Sequence, residues 1–176
     1  MKVDVLLTVI FLLSLVIGCT QRTQPTPNTQ QGNQAQTQSP PSGAKSERGT
    51  PAEAKAMLQQ AVAHYQEVGR KQALADFNAK KPPFGDRDLY VFCIDSNGII
   101  IANGGFPQYV GLPTGVLKDI DGKSVGKAIW DLANSKGEGS VQYRWINPVS
   151  GKTEPKISFG QKVGEDVCGV GAYNPQ

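Results

Sequence analysis

Tyr90, Phe92 and Ile94 alternate along one short apolar run, Tyr143 and Trp145 along a second, and Lys156 and Ser158 along a third. Successive side chains of a strand point to opposite faces, so each alternating set shares a face. If the three faces coincide, they enclose an aromatic-walled cavity with one cation. Such a cavity suits a small carboxylate or amine: aromatic walls exclude water, and a few polar groups fix orientation. Asn103, at the end of a further apolar run, can hydrogen-bond a ligand there or cap the loop that follows it. The alternative for the whole set is an ordinary core, with Lys156 a surface cation.

The other chemistry-bearing residues point away from catalysis. The chain has 1 histidine, His64, which sits mid-helix off the main apolar face and reads as a surface or boundary residue. No base and nucleophile pair lies near it in sequence, and a single histidine excludes most catalytic dyads and triads. No catalytic residue is assigned and an enzyme is not expected. Asp119, Asp121 and Gly122 lack the terminal Glu of a calcium loop, so they read as a turn and helix cap. Gly137-x-Gly139 and Gly169-x-Gly171 are too short for phosphate binding; the first reads as a turn, the second as a closely packed strand. No cofactor or metal is expected.

Charge excludes a further class. The 176 residues carry 18 Lys+Arg against 15 Asp+Glu. From Thr50 onward the balance is 14 basic to 13 acidic, without the concentrated basic face that nucleic-acid binding needs.

The N-terminal third is an address and a tether. Val5 to Ile17 is an apolar run interrupted only by Thr8 and Ser14. It is shorter than the ~20 apolar residues of a membrane-spanning helix and fits the core of a secretory signal peptide. It ends in Val16-Ile17-Gly18-Cys19, which resembles the bacterial lipobox. That resemblance implies cleavage before Cys19 and lipid on its thiol; the alternative is an uncleaved anchor with an incidental cysteine. Thr20, rather than Asp, after the cysteine resembles outer-membrane-directed lipoproteins. Thr20 to Arg48 is rich in Gln, Thr, Pro, Asn and Ser and has no large apolar residue. Such a segment buries too little apolar surface to offset its ordering entropy and reads as a disordered spacer. The expected organisation is a leader at 1–18, a lipid-bearing tether at 19–49 and a folded domain at 50–176.

The folded part opens with Thr50-Pro51-Ala52-Glu53, a helix start with a capping box. Ala54, Met57, Leu58, Ala61, Val62 and Tyr65 follow at three- and four-residue spacing, and Gly69 reads as the C-cap. A second helix is predicted over 71–78. Strands are predicted over 89–94, 99–102, 140–146, 154–163 and 167–173, and a helix over 123–134 after a long Gly- and Pro-rich loop. Hairpin connections imply an antiparallel sheet, and grouped strands and helices imply an α+β fold.

Several blocks together resemble the single Cache domain family, the extracytoplasmic PAS-like sensors. They are Asp88-Leu89-Tyr90-Val91-Phe92 with Asp95-x-x-Gly98; Gly111 with Lys118-Asp119-x-Asp121-Gly122-Lys123; Tyr143-x-Trp145-x-Asn147-Pro148-x-x-Gly151-Lys152-x-Glu154-Pro155-Lys156; and Gly171-x-Tyr173. Residues 69–78 also fit the family's helical lead-in. The resemblance covers about residues 52–174. It implies a five-stranded antiparallel sheet with a long N-terminal helix on one face. It also implies a small-molecule pocket on the other face, roofed by the loop and helix between strands two and three. Family members commonly precede a kinase, cyclase or chemotaxis module. Here the chain stops three residues after Tyr173, a departure from that architecture that argues against direct transmembrane signalling but not against ligand binding.

In the resembled fold the strands carrying Cys93 and Cys168 are neighbours. An exported protein meets an oxidising compartment. The pair therefore either closes a cross-strand disulfide or stays as two buried thiols.

These readings converge on a lipid-anchored extracytoplasmic module. It would bind a small organic acid, amino acid or amine through Tyr90, Phe92, Asn103, Tyr143, Trp145, Lys156 and Ser158. It would present that state to a membrane receptor or kinase. The competing expectation is a structural or interaction lipoprotein whose core is filled.

Overall fold

A computed structural model describes residues 47–175. The leader, Cys19 and all but the end of the tether lie outside the described residues. The end of the tether is part of the fold: the Arg48 guanidinium pairs with Glu154, and the buried Gly49 donates its N–H to Asp88 Oδ1 at 2.8 Å. Arg48 and Gly49, which the composition places in the tether, thus make contacts with the folded domain.

Helix α1 (Pro51–Val68) begins on the expected capping box, with Thr50 and Glu53 bonded reciprocally. Its face of Ala54, Met57, Leu58, Ala61 and Val62 is buried. Gly69, at a φ of 82°, ends α1 and lets the chain turn directly into α2 (Arg70–Asn78). His64 lies at the boundary between the helices, its Nε2 2.8 Å from Asp76 and its ring against Phe84.

The sheet has six strands: β1 (Gly85–Asp86), β2 (Leu89–Ile94), β3 (Ile100–Asn103), β4 (Glu138–Ile146), β5 (Thr153–Val163) and β6 (Asp166–Tyr173). All pairings are antiparallel, in the order β3-β2-β6-β5-β4, with β1 a short hairpin on β2. The expected five strands are present. The two-residue β1 is additional, too short to leave a periodic signal in sequence. Helix α3 (Val125–Lys136) runs two residues beyond the predicted end and stops at Gly137, so β4 starts at Glu138 rather than Ser140. The Gly137–Gly139 segment is thus a helix cap followed by a strand. At Gly139 a Cβ would lie 2.3 Å from Leu132, so the missing side chain is what lets α3 pack on the strand.

β2 is buried at all six positions, which explains its uninterrupted apolar sequence. One face of the sheet, including Val91, Cys93, Cys168, Val170 and Ala172, packs on α1. On that face Cys93 and Cys168 are directly paired, with Cα atoms 4.1 Å apart, and form a disulfide. The other face carries Tyr90, Phe92, Ile94, Val141, Tyr143, Trp145 and Tyr173 and is covered by α3 and Phe106 of the β3–α3 loop.

Candidate functional site

The register brings the sequence-predicted residues together. Tyr143 of β4 pairs with Lys156 of β5, and Lys156 with Tyr173 of β6. The next row of the same face runs Val141, Ser158 and Gly171, and the row beyond includes Gly169, Phe92 and Asn103. Glycine at 169 and 171 is required by close approach. A Cβ at 169 would meet the Phe92 ring at 2.4 Å, and one at 171 would meet Lys156 Cε and Ser158 Oγ at 2.3 Å. The two glycines are therefore the floor over which the aromatic and basic side chains lie.

Tyr90, Phe92, Asn103, Tyr143 and Trp145 line a cavity of about 30 Å³, closed by Leu117, Val125, Gly126 and Ile129 from the loop and α3. At 10–15 Å³ for one water, that space holds about two waters. Larger hollows of about 390 and 480 Å³ lie beside α1. They are edged by exposed Lys55, Gln59, Gln60 and Glu138 and gather no buried polar cluster.

Lys156 and Ser158 sit one layer behind the lining. Lys156 is 1 % exposed, and its ammonium is inside the fold. It donates to Tyr90 Oη at 2.7 Å and Tyr173 Oη at 3.1 Å and lies 4.2 and 4.3 Å from the two ring centres. Tyr173 in turn donates to the Ile146 carbonyl at 2.7 Å. Among the described residues no carboxylate is within ion-pair distance of Lys156, and its third N–H has no acceptor. Ser158 Oγ and Tyr143 Oη are hydrogen-bonded at 2.7 Å. Asn103 Oδ1 caps the loop by accepting from Phe106 N at 2.9 Å, which leaves its amide nitrogen as the group able to meet a ligand.

Burial shapes the electrostatics. It pushes the Lys156 ammonium down to about 7, against the charge of Asp88, which works in the opposite direction. Burial also raises the phenols of Tyr90, Tyr143 and Tyr173, so all three stay neutral and able to donate. Asp88 is itself committed: it accepts from Gly49 N and from Asn147 Nδ2 at 3.0 Å. Asn147 also donates to Glu154, which binds Asn174. This buried polar cluster ties both ends of the domain together just beyond Lys156.

Tyr173 and the closing residues Leu117, Val125, Gly126 and Ile129 were missed by the sequence reading. Tyr173 carried a usable signal, because it continues the 169, 171, 173 alternation on the cavity face. The Asp119–Asp121 loop is consumed structurally, with Asp119 Oδ1 accepting from Asp121 N at 3.0 Å and Lys123 N at 2.8 Å. Among the described residues there is no cluster able to hold a metal ion.

This is a PAS-like half-open sheet with a roofed pocket facing away from its N-terminal helix, and the single Cache domain 2 family matches residues 44–173. The chain belongs to that family. It is an extracytoplasmic Cache sensor domain, a ligand-binding module rather than an enzyme. The Cache chain is similar in fold to three solved structures. One is a methyl-accepting chemotaxis protein from Vibrio parahaemolyticus RIMD 2210633, 23% identical, with a TM-score of 0.59 over 69% of this chain and 86% of the other. Another is a Cache chemosensory domain solved for carboxylic acid recognition, 24% identical, TM-score 0.55, over 70% and 87%. The third is the periplasmic sensor domain of a chemotaxis protein, 23% identical, TM-score 0.55, over 70% and 89%. No curated protein matches the chain.

Proposed function

We propose that this Cache domain is the receptor for a small monocarboxylic acid. The observation that carries the reading is Lys156: a buried ammonium held only by neutral phenols, directly behind an aromatic cavity. A buried charge without a counter-charge is costly, so the site gains most from a ligand that brings one negative charge. A carboxylate in the cavity would accept from Tyr90 and Tyr143 and neutralise Lys156 through the Tyr90 layer or by direct contact. An amine would instead add a second buried cation. Amines therefore drop out of the acid, amino acid and amine set that the sequence allowed. The small cavity favours acids of a few heavy atoms, admitted by modest shifts of Tyr143 and Trp145. The solved Cache domain that recognises carboxylic acids lends support to the class.

The Val5–Ile17 run and Gly18-Cys19 support lipid on Cys19 and a membrane-held, periplasm-facing domain, possessing reach through its tether. The proposed output is a membrane receptor or kinase that reads the bound conformation. A ligand shifts such an equilibrium only by binding one conformation better.

A thermal-shift screen tests the reading. A binder at 100 times its dissociation constant adds about 2.7 kcal/mol of stability. Formate, acetate and propionate should stabilise the chain, and the Lys156→Met variant should lose the effect. The cavity's size also supports a second reading, a filled-core interaction lipoprotein; a folded wild-type chain that no small acid stabilises would favour it. Membrane fractionation and mass spectrometry of wild type against Cys19→Ser test the anchor.

A further inference from the structure

Trp145 lines two separate spaces. Its inner side closes the cavity that holds Tyr90 and Tyr143. It also borders an outer cleft of about 170 Å³ along the end of β4, shared with Tyr109, Lys118, Ile120, Arg144 and Ile146. The indole thus stands between the small inner cavity and a more open outer cleft.

Three features make the indole movable. The Trp145 indole N–H has no acceptor among the described residues, whereas the Trp130 N–H is tied to the Asp95 carbonyl at 2.9 Å. Trp145 is held by packing without a side-chain hydrogen bond: the rings of Phe106, Tyr109 and Tyr143 lie 6.0–6.3 Å away between centroids, and the Ile100, Leu117 and Val125 cluster packs against it. Among the described residues β4 pairs with β5 alone, so its other edge has no strand partner there. The outer cleft is suited to anions. Lys118 and Arg144 are exposed and take no ion-pair partner among the described residues, while Asp119 there is engaged by its own loop's N–H groups.

We propose that Trp145 is the gate of the acid site. The anion is collected in the outer cleft by Lys118 and Arg144, and it reaches Tyr90 and Lys156 when the indole swings aside and the two spaces merge. This inference rests on the monocarboxylate reading above. It makes Trp145 the residue that sets ligand size and access rate, and the two cations a steering site outside the binding pocket.

The test is the exchange kinetics of carbon-13-labelled propionate with the full chain, read by NMR line shape alongside the two tryptophan indole signals. Propionate should shift and broaden the Trp145 indole resonance and leave that of Trp130 in place. Trp145→Ala should raise the association rate by on the order of tenfold, within the range that association rates span among variants of one interface. Trp145→Phe keeps an aromatic contact, should fold as wild type and should show a smaller rise. The double variant Lys118→Gln, Arg144→Gln should slow association at low salt by on the order of tenfold and flatten its salt dependence. Its dissociation rate should stay as in wild type. Propionate binding with association rates unchanged in all three variants would overturn the gate and leave the acid site standing. A folded wild-type chain that binds no monocarboxylate would overturn both.

Discussion

Replacing Lys156 with methionine should change how stability depends on pH. In the unfolded chain the lysine titrates at its ordinary 10.5, and in the fold burial lowers it to about 7. Above 10.5 the side chain is neutral in both states and contributes no penalty. Between 10.5 and 7 the unfolded chain binds the extra proton, so wild-type stability falls as pH falls. Below 7 both states are charged and the penalty is complete, about 5 kcal/mol at 1.36 kcal/mol for each pH unit. From pH 9 down to pH 7 the loss is about 2 kcal/mol, several degrees in Tm for a domain of this size. Lys156→Met removes the titration while filling similar volume. The assay is urea unfolding of both proteins at pH 7 and pH 9. The difference between them should shrink by about 2 kcal/mol at the higher pH, with methionine the more stable at pH 7. Parallel profiles would refute the claim that Lys156 is buried without a counter-charge.

Four further predictions follow from the same geometry. A carboxylate beside Lys156 favours its charged form, so propionate binding at pH 8 should take up a proton and weaken as pH rises above about 7; calorimetry in two buffers of different ionisation enthalpy measures the uptake. Reducing the Cys93–Cys168 disulfide, or replacing both residues with alanine, should cost about 4 kcal/mol for a loop closed across 75 residues, read as a lowered Tm in reductant. Gly171→Ala puts a methyl against Lys156 Cε and Ser158 Oγ and should destabilise by roughly 1–3 kcal/mol and abolish acid binding, measured by unfolding and titration together. Glu154 is held down to about 2, chiefly by Arg48, so its contribution is present above 4.5 and lost as pH falls toward 2; Glu154→Gln should flatten that acid limb in a pH-resolved melt.

Much of the site was legible because it is written in strand alternation. Tyr90 with Phe92, Tyr143 with Trp145, and Lys156 with Ser158 each fix a face locally, and the hairpins then align those faces. Gly169 and Gly171 were legible as close packing, though not what they accommodate. The register was not legible: nothing local in sequence says that Cys93 stands opposite Cys168 or that Tyr173 stands beside Lys156. The disulfide therefore stayed one of two alternatives until the strands were paired. Leu117, Val125 and Ile129 reach the cavity through an irregular loop whose course depends on tertiary contacts. That Lys156 is buried behind Tyr90, rather than at the surface, depends on the volume left by Gly171. The size of the cavity follows from side-chain packing, which no periodicity encodes.

Calorimetric titration of the chain with propionate, with propylamine as an amine of similar length, tests the central claim most directly. The account predicts saturable binding of the acid at pH 7, its loss in Lys156→Met, and no binding of the amine. Binding of the amine, or acid binding that survives Lys156→Met unchanged, would contradict it.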